Sequence, residues 1–131
     1  MIKRVIGLGG IFFKAKDPVA LREWYHKHLG IISEEWGTQF FPKQLAEANL
    51  DAYQVWSPFR ETTTYLEPSE KPYMINFIVE DLYALLAELR QEGVHVFEEM
   101  EDTEFGKFGW ILDPEGTKIE LWQPPLKQQS V

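Results

Sequence analysis

Two stretches of the chain repeat one hydrophobic pattern. AKDPVALREWYHKHLGI at 15–31 and VEDLYALLAELRQEGV at 79–94 match with one gap, pairing Asp17 with Asp81, Ala20 with Ala84, Leu21 with Leu85, Tyr25 with Leu89 and Gly30 with Gly93. In the second stretch Leu82, Leu85, Leu86 and Leu89 stand at i, i+3, i+4 and i+7, one face of an α-helix. Each stretch opens on an Asp whose side chain can accept from the free amides of a first helical turn. Pro18 suits the first helical position, and Gly93 is placed to end its helix. The pattern predicts two helices, and the leucine stripe is a core face.

Around each helix the apolar positions follow a shorter period. VIGLGGIFFKA at 5–15 and PYMINFIV at 72–79 read as strands that precede the helices. IISEE, AYQVWSP and TTTYLEP follow the first helix, and HVFEE, KFGWIL and TKIELWQ follow the second. Each half therefore reads βαβββ, with one module over about 1–70 and a second over about 71–131. Asp113-Pro114-Glu115-Gly116 places Asp, Pro and Gly where a type I turn favours them, so the last two segments form a hairpin. The stretch 36–51, WGTQFFPKQLAEANLD, has no regular period and reads either as a lid or rim or as a plain surface loop.

Alternation along a strand separates the side facing the helix from the side facing away. Ile119 and Leu121, Ile75, Phe77 and Val79, and Ile11, Phe13 and Ala15 are helix-side positions. The opposite face then collects Phe12, Lys14, Met74, Asn76, Lys118, Glu120 and Trp122. Apolar walls with a few orienting polar groups suit a small-molecule cavity. The competing reading is a partly solvated sheet face with ordinary Lys–Glu pairing.

Composition narrows the partners. The chain has 131 residues and 44% hydrophobic content, which suits one domain with a real core. A formal net charge of -8 with scattered Lys and Arg disfavours nucleic acid, which needs clustered positive charge. There is no cysteine, hence no disulfide, thiolate metal site or nucleophilic thiol. Two basic residues precede the short apolar run at the start, but it breaks at Lys14 without a small-residue cleavage site and reads as a strand. No stretch approaches the ~20 apolar residues that span a bilayer. A cytoplasmic location is the default expectation. Nineteen aromatics, five of them Trp, exceed what a minimal core needs and suggest a ligand cavity or an oligomer interface.

Paired βαβββ halves, KDP before a helix ending in LG, VED before the second helix, and FGKFGWILDPEGTKIELWQP near the C-terminus together resemble the vicinal oxygen chelate superfamily. That group includes glyoxalase I, extradiol dioxygenases, and fosfomycin- and bleomycin-resistance proteins. The resemblance spans nearly the whole chain and is most specific at DPEGTKIEL. It implies an α+β fold in which two βαβββ modules form a curved mixed sheet around a cavity. In metal-dependent members, His and Glu ligands come from the first and last strands of each half. The matching positions here are Gly10, Thr64 or Tyr65, Met74 and Glu120, so only Glu120 retains a ligand and the metal site reads as degenerate. Met74 offers a thioether poorly suited to the divalent metals of this chemistry. His26 and His28 point to different helix faces, and His95 stands alone.

Three functions follow from these residues. The first is a metal-free small-molecule-binding protein, in which Trp56, Phe59, Tyr65, Trp110 and Trp122 stack on an aromatic or cationic ligand and Phe12, Lys14, Met74, Asn76 and Lys118 complete the walls. The second is a glyoxalase-like lyase or isomerase, or a dioxygenase, with Glu120 as general base or metal ligand and Lys118 or Lys14 stabilising an oxyanion. The third is a structural or regulatory dimer without a small ligand. Relatives in the resembling group usually pair modules, so a homodimer is expected in each case. No organic cofactor is expected, and a divalent metal only if Glu120 finds partners outside the usual positions.

Overall fold

The computed structural model describes residues 2–128. The first helix, α1, spans Pro18–Leu29; the Asp17 carboxylate accepts from the Ala20 N–H at 3.1 Å, and Gly30, at φ 69°, ends it. A short helix, α2, covers Pro42–Glu47 inside the stretch that lacked a period. Strand β1, Ile75–Ile78, leads into α3, Leu82–Gln91, which Asp81 caps through the Ala84 N–H at 3.2 Å. The Gln123 side chain accepts from the Leu82 N–H at 2.9 Å, so the last strand also holds the start of α3. Strands β2, Val96–Thr103, β3, Gly106–Leu112, and β4, Lys118–Gln123, follow.

The fold is α+β, with one open mixed sheet in the order β1-β4-β3-β2. β1 runs parallel to β4, while β3 is antiparallel to both of its neighbours. α3 packs on one face because the leucine stripe and the inward strand positions meet there: Leu82, Leu86 and Leu89 bury against Ile111, Ile119 and Leu121. Gly109 lets the helix settle on β3, since a Cβ at that position would lie 2.9 Å from the Leu86 Cδ1. Leu21 and Tyr25 of α1 extend the same core.

Asp113 locks the β3–β4 turn. Its carboxylate accepts from the Glu115 N–H at 2.8 Å and the Thr117 N–H at 3.0 Å, and its other oxygen takes the Tyr25 hydroxyl at 2.6 Å. Glu115 in turn accepts from the Lys16 and Asp17 N–H groups at 2.8 and 3.0 Å. The most specific sequence segment therefore ties the last hairpin to the start of α1.

The first half departs from the expected plan. Segments 5–15, 31–35, 52–58 and 62–68 contain no strand, and the four strands among the described residues come from the second half. Extended chain becomes a strand only when its amides and carbonyls find a ladder. Here the Leu8 N–H goes to the Gln54 side chain, and the Asp51 and Lys127 amides exchange with the Pro125 and Asn49 carbonyls. Helix-side positions Ile11 and Phe13 are accordingly half exposed, while Ile75, Phe77 and Val79 lie in or against the core as expected.

Candidate functional site

The face of the sheet turned away from α3 carries one row of three residues. Ladder register places Asn76 of β1 and Trp110 of β3 on either side of Glu120 in β4. Because directly opposed residues share a face, all three side chains converge. The Asn76 amide donates to Glu120 Oε1 at 2.7 Å, and the Trp110 indole N–H donates to Oε2 at 2.9 Å. A third donor arrives from the first half: the Tyr65 hydroxyl, 2.5 Å from Oε2. Burial, then the bond to Glu120, pushes the Tyr65 phenol above its ordinary range and keeps it a proton donor. Glu120 is 8% exposed and accepts three hydrogen bonds. Among the described residues it takes part in no ion pair, so the Lys–Glu reading of this face does not describe it.

Two residues earlier on the same face, Lys118 turns over the site. Its ammonium donates to the Tyr65 carbonyl at 2.7 Å and lies 5.3, 5.3 and 5.8 Å from the ring centres of Tyr65, Phe97 and Trp110. Phe59 packs edge-on against Tyr65 at 5.6 Å. Two residues later, Trp122 donates to the Phe105 carbonyl at 2.8 Å between the rings of Tyr53 and Phe108.

The structure thus brings together Phe59, Tyr65, Asn76, Trp110, Lys118 and Glu120, with Trp122 beside them. Phe12 and Trp56 stand outside, 96% and 78% exposed. Among the described residues Lys14 and Met74 have no polar contact with the group. Phe97 was absent from the sequence-derived set, although alternation in HVFEE places it opposite core-packed Val96 and would have found it. Tyr65 lies against Glu120, and Lys118 lies over Tyr65 and Trp110. Two surface clefts among the described residues lie elsewhere, one of about 240 Å³ along residues 32–41 and one of about 290 Å³ between Lys16, Lys71 and Glu115.

These residues do not fit a divalent metal. The neighbours of Glu120 are an amide N–H, an indole N–H and a hydroxyl, which supply protons to its lone pairs and add no second anionic or imidazole donor. Among the described residues no three His, Asp or Glu side chains gather in a group that could hold a metal ion. His28 instead meets Glu92 at 2.6 Å, joining α1 to α3, and His95 packs against Phe97.

Over residues 8–121 the chain matches the family model of the Glyoxalase/Bleomycin resistance protein/Dioxygenase superfamily. It belongs to that superfamily. An oxidase, ChaP-H2, is similar in fold at 16% identity and a TM-score of 0.50, with 86% of this chain and 88% of the other covered. A trypanothione-dependent glyoxalase I from Leishmania major aligns over 82% of this chain and 78% of its own, at 20% identity and a TM-score of 0.46. A glyoxalase family protein from Enterococcus faecalis aligns at 24% identity and a TM-score of 0.36 over 50% of this chain; the chain spans 52% of that protein's length. No curated protein matches with significance. Among the described residues no helix is long and apolar enough to cross a membrane.

Proposed function

We propose that this protein binds a small molecule on the sheet face around Glu120, without a divalent metal, and that it works as a homodimer. The observation that carries the reading is the state of Glu120: one buried carboxylate with both oxygens engaged by Tyr65, Asn76 and Trp110. A general base needs a free lone pair within reach of a substrate proton. Here Oε2 takes two donors and Oε1 one, which leaves a single site on a buried carboxylate. The same row suits recognition, because Tyr65 and Trp110 present apolar faces while Asn76 and Lys118 supply directional contacts. The ligand is aromatic or cationic, drawn by the rings and by the acidic balance of the chain.

The alternative is a glyoxalase-like lyase or isomerase, or a dioxygenase, with Glu120 as base or metal ligand. The family's own description and the name of one structural neighbour, an oxidase, favour it. Tryptophan fluorescence titration with a neutral aromatic probe, 2-naphthol, separates the two when paired with Glu120→Gln. Quenching in the wild-type protein, with no turnover of hemithioacetals or catechols that the variant loses, supports binding. Turnover abolished in Glu120→Gln establishes the enzyme instead.

A further inference from the structure

We propose that Tyr65, Phe97 and Trp110 form a cation-binding cage that Lys118 occupies in the free protein, and that its external ligand is a small alkylammonium ion. This deepens the binding reading above and rests on it. All three ring centres lie within 6 Å of one ammonium, the range in which the negative face of an aromatic ring attracts a cation. Such rings come from three separate places in the chain: the segment before β1, strand β2 and strand β3. Only the tertiary fold assembles them around one point.

Two features make Lys118 an occupant and not a permanent partner. Its only hydrogen bond is to a backbone carbonyl, that of Tyr65, and no carboxylate pairs with it among the described residues. Its flexible stem rises from the partly exposed start of β4, so the ammonium can swing into water. Glu120 stays behind, bonded to the Tyr65 hydroxyl and the Trp110 indole of the same cage. With Lys118 withdrawn, the cage keeps a buried negative charge beside three ring faces. A quaternary ammonium of choline size would put a cation back against the three rings, and it needs no hydrogen-bond partner. Lys118 therefore sets a threshold, since ligand must compete with a tethered cation of the chain itself.

The test is choline binding to the full-length protein, followed by tryptophan fluorescence, for wild type and Lys118→Met. Removing the tethered cation while keeping its length raises choline affinity about tenfold, and Phe97→Leu in the Lys118→Met background lowers it again by a similar factor. The uncharged isostere 3,3-dimethylbutan-1-ol binds Lys118→Met at least about tenfold more weakly than choline does. Equal affinity of wild type and Lys118→Met, or equal binding of choline and its isostere, overturns the cage. Lys118→Gln serves as a second variant if Lys118→Met fails to fold. Binding of 2-naphthol without choline removes this inference and leaves the binding protein standing; binding of neither removes both.

Discussion

Tyr25 and Tyr65 do parallel work on two of the carboxylates of the last hairpin. Tyr25 donates to Asp113 at the turn, and Tyr65 donates to Glu120 in the strand that follows. Burial is the main cause that raises both phenols above their ordinary range, and the adjacent carboxylates add to it. Tyr25→Phe leaves a buried Asp113 oxygen short of a donor, and it should cost about 1–3 kcal/mol in urea unfolding. A phenol raised in the folded state gives up its proton first in the unfolded chain, so its stabilisation holds below about pH 10 and is lost as pH rises beyond it. Tyrosinate absorbance should therefore lag behind free tyrosine until the chain unfolds, and Tyr25→Phe should weaken that alkaline destabilisation. Glu115 behaves in the opposite sense. The Asp17 amide, then that of Lys16, holds its carboxyl below the usual range, so its contribution is present above about pH 4.5 and fades as pH falls through the lowered value. Wild type and Glu115→Gln should differ in melting temperature at neutral pH and converge in acid.

The contact between α3 and the sheet is the element on which the second half depends. Leu86 is 1% exposed and lies against Gly109, so Leu86→Ala should cost about 2–5 kcal/mol by opening a cavity, read from the denaturation midpoint. Gly109→Val should cost about 1–3 kcal/mol for the reverse reason, because its Cβ and methyls must displace Leu86. This part of the fold was legible in sequence. The leucine stripe, the Asp caps, the DPEG turn and the alternation of TKIELWQ are local patterns, and each makes its own case for a helix, a turn or a strand. The strands expected in the first half were not legible in the same way. VIGLGGIFFKA has an apolar pattern suited to a strand, but a ladder partner is a property of the whole arrangement and the described chain offers it none. The site divides along the same line. Glu120 and its face came from alternation in one strand, whereas the Asn76–Glu120–Trp110 row came from ladder register and Phe97 from the neighbouring strand.

The accessible surface of the whole molecule is 10490 Å². A folded monomer of this length exposes about 7,200 Å². The excess is of the order that an obligate dimer buries, roughly 2,000–5,000 Å². Much of it is apolar and lies at the start of the chain, where Val5, Ile6 and Phe12 are each at least 89% exposed. A second copy covering these residues would account for their composition and would give the unpaired first-half segments a ladder. Sedimentation should show a dimer, and Val5→Asp with Phe12→Asp should shift it to monomer with loss of stability; a monomeric wild type at high concentration would remove this part of the proposal. By itself the sequence determined the two capped helices, the final hairpin, the superfamily motif and the isolation of Glu120 as the sole acid at the matching positions, because each depends on neighbours close in the chain. Only the tertiary structure decided that Glu120 is met by three neutral donors and that Lys118 lies among three rings. Those contacts join residues up to 55 positions apart, and strand register and chain crossing bring them together.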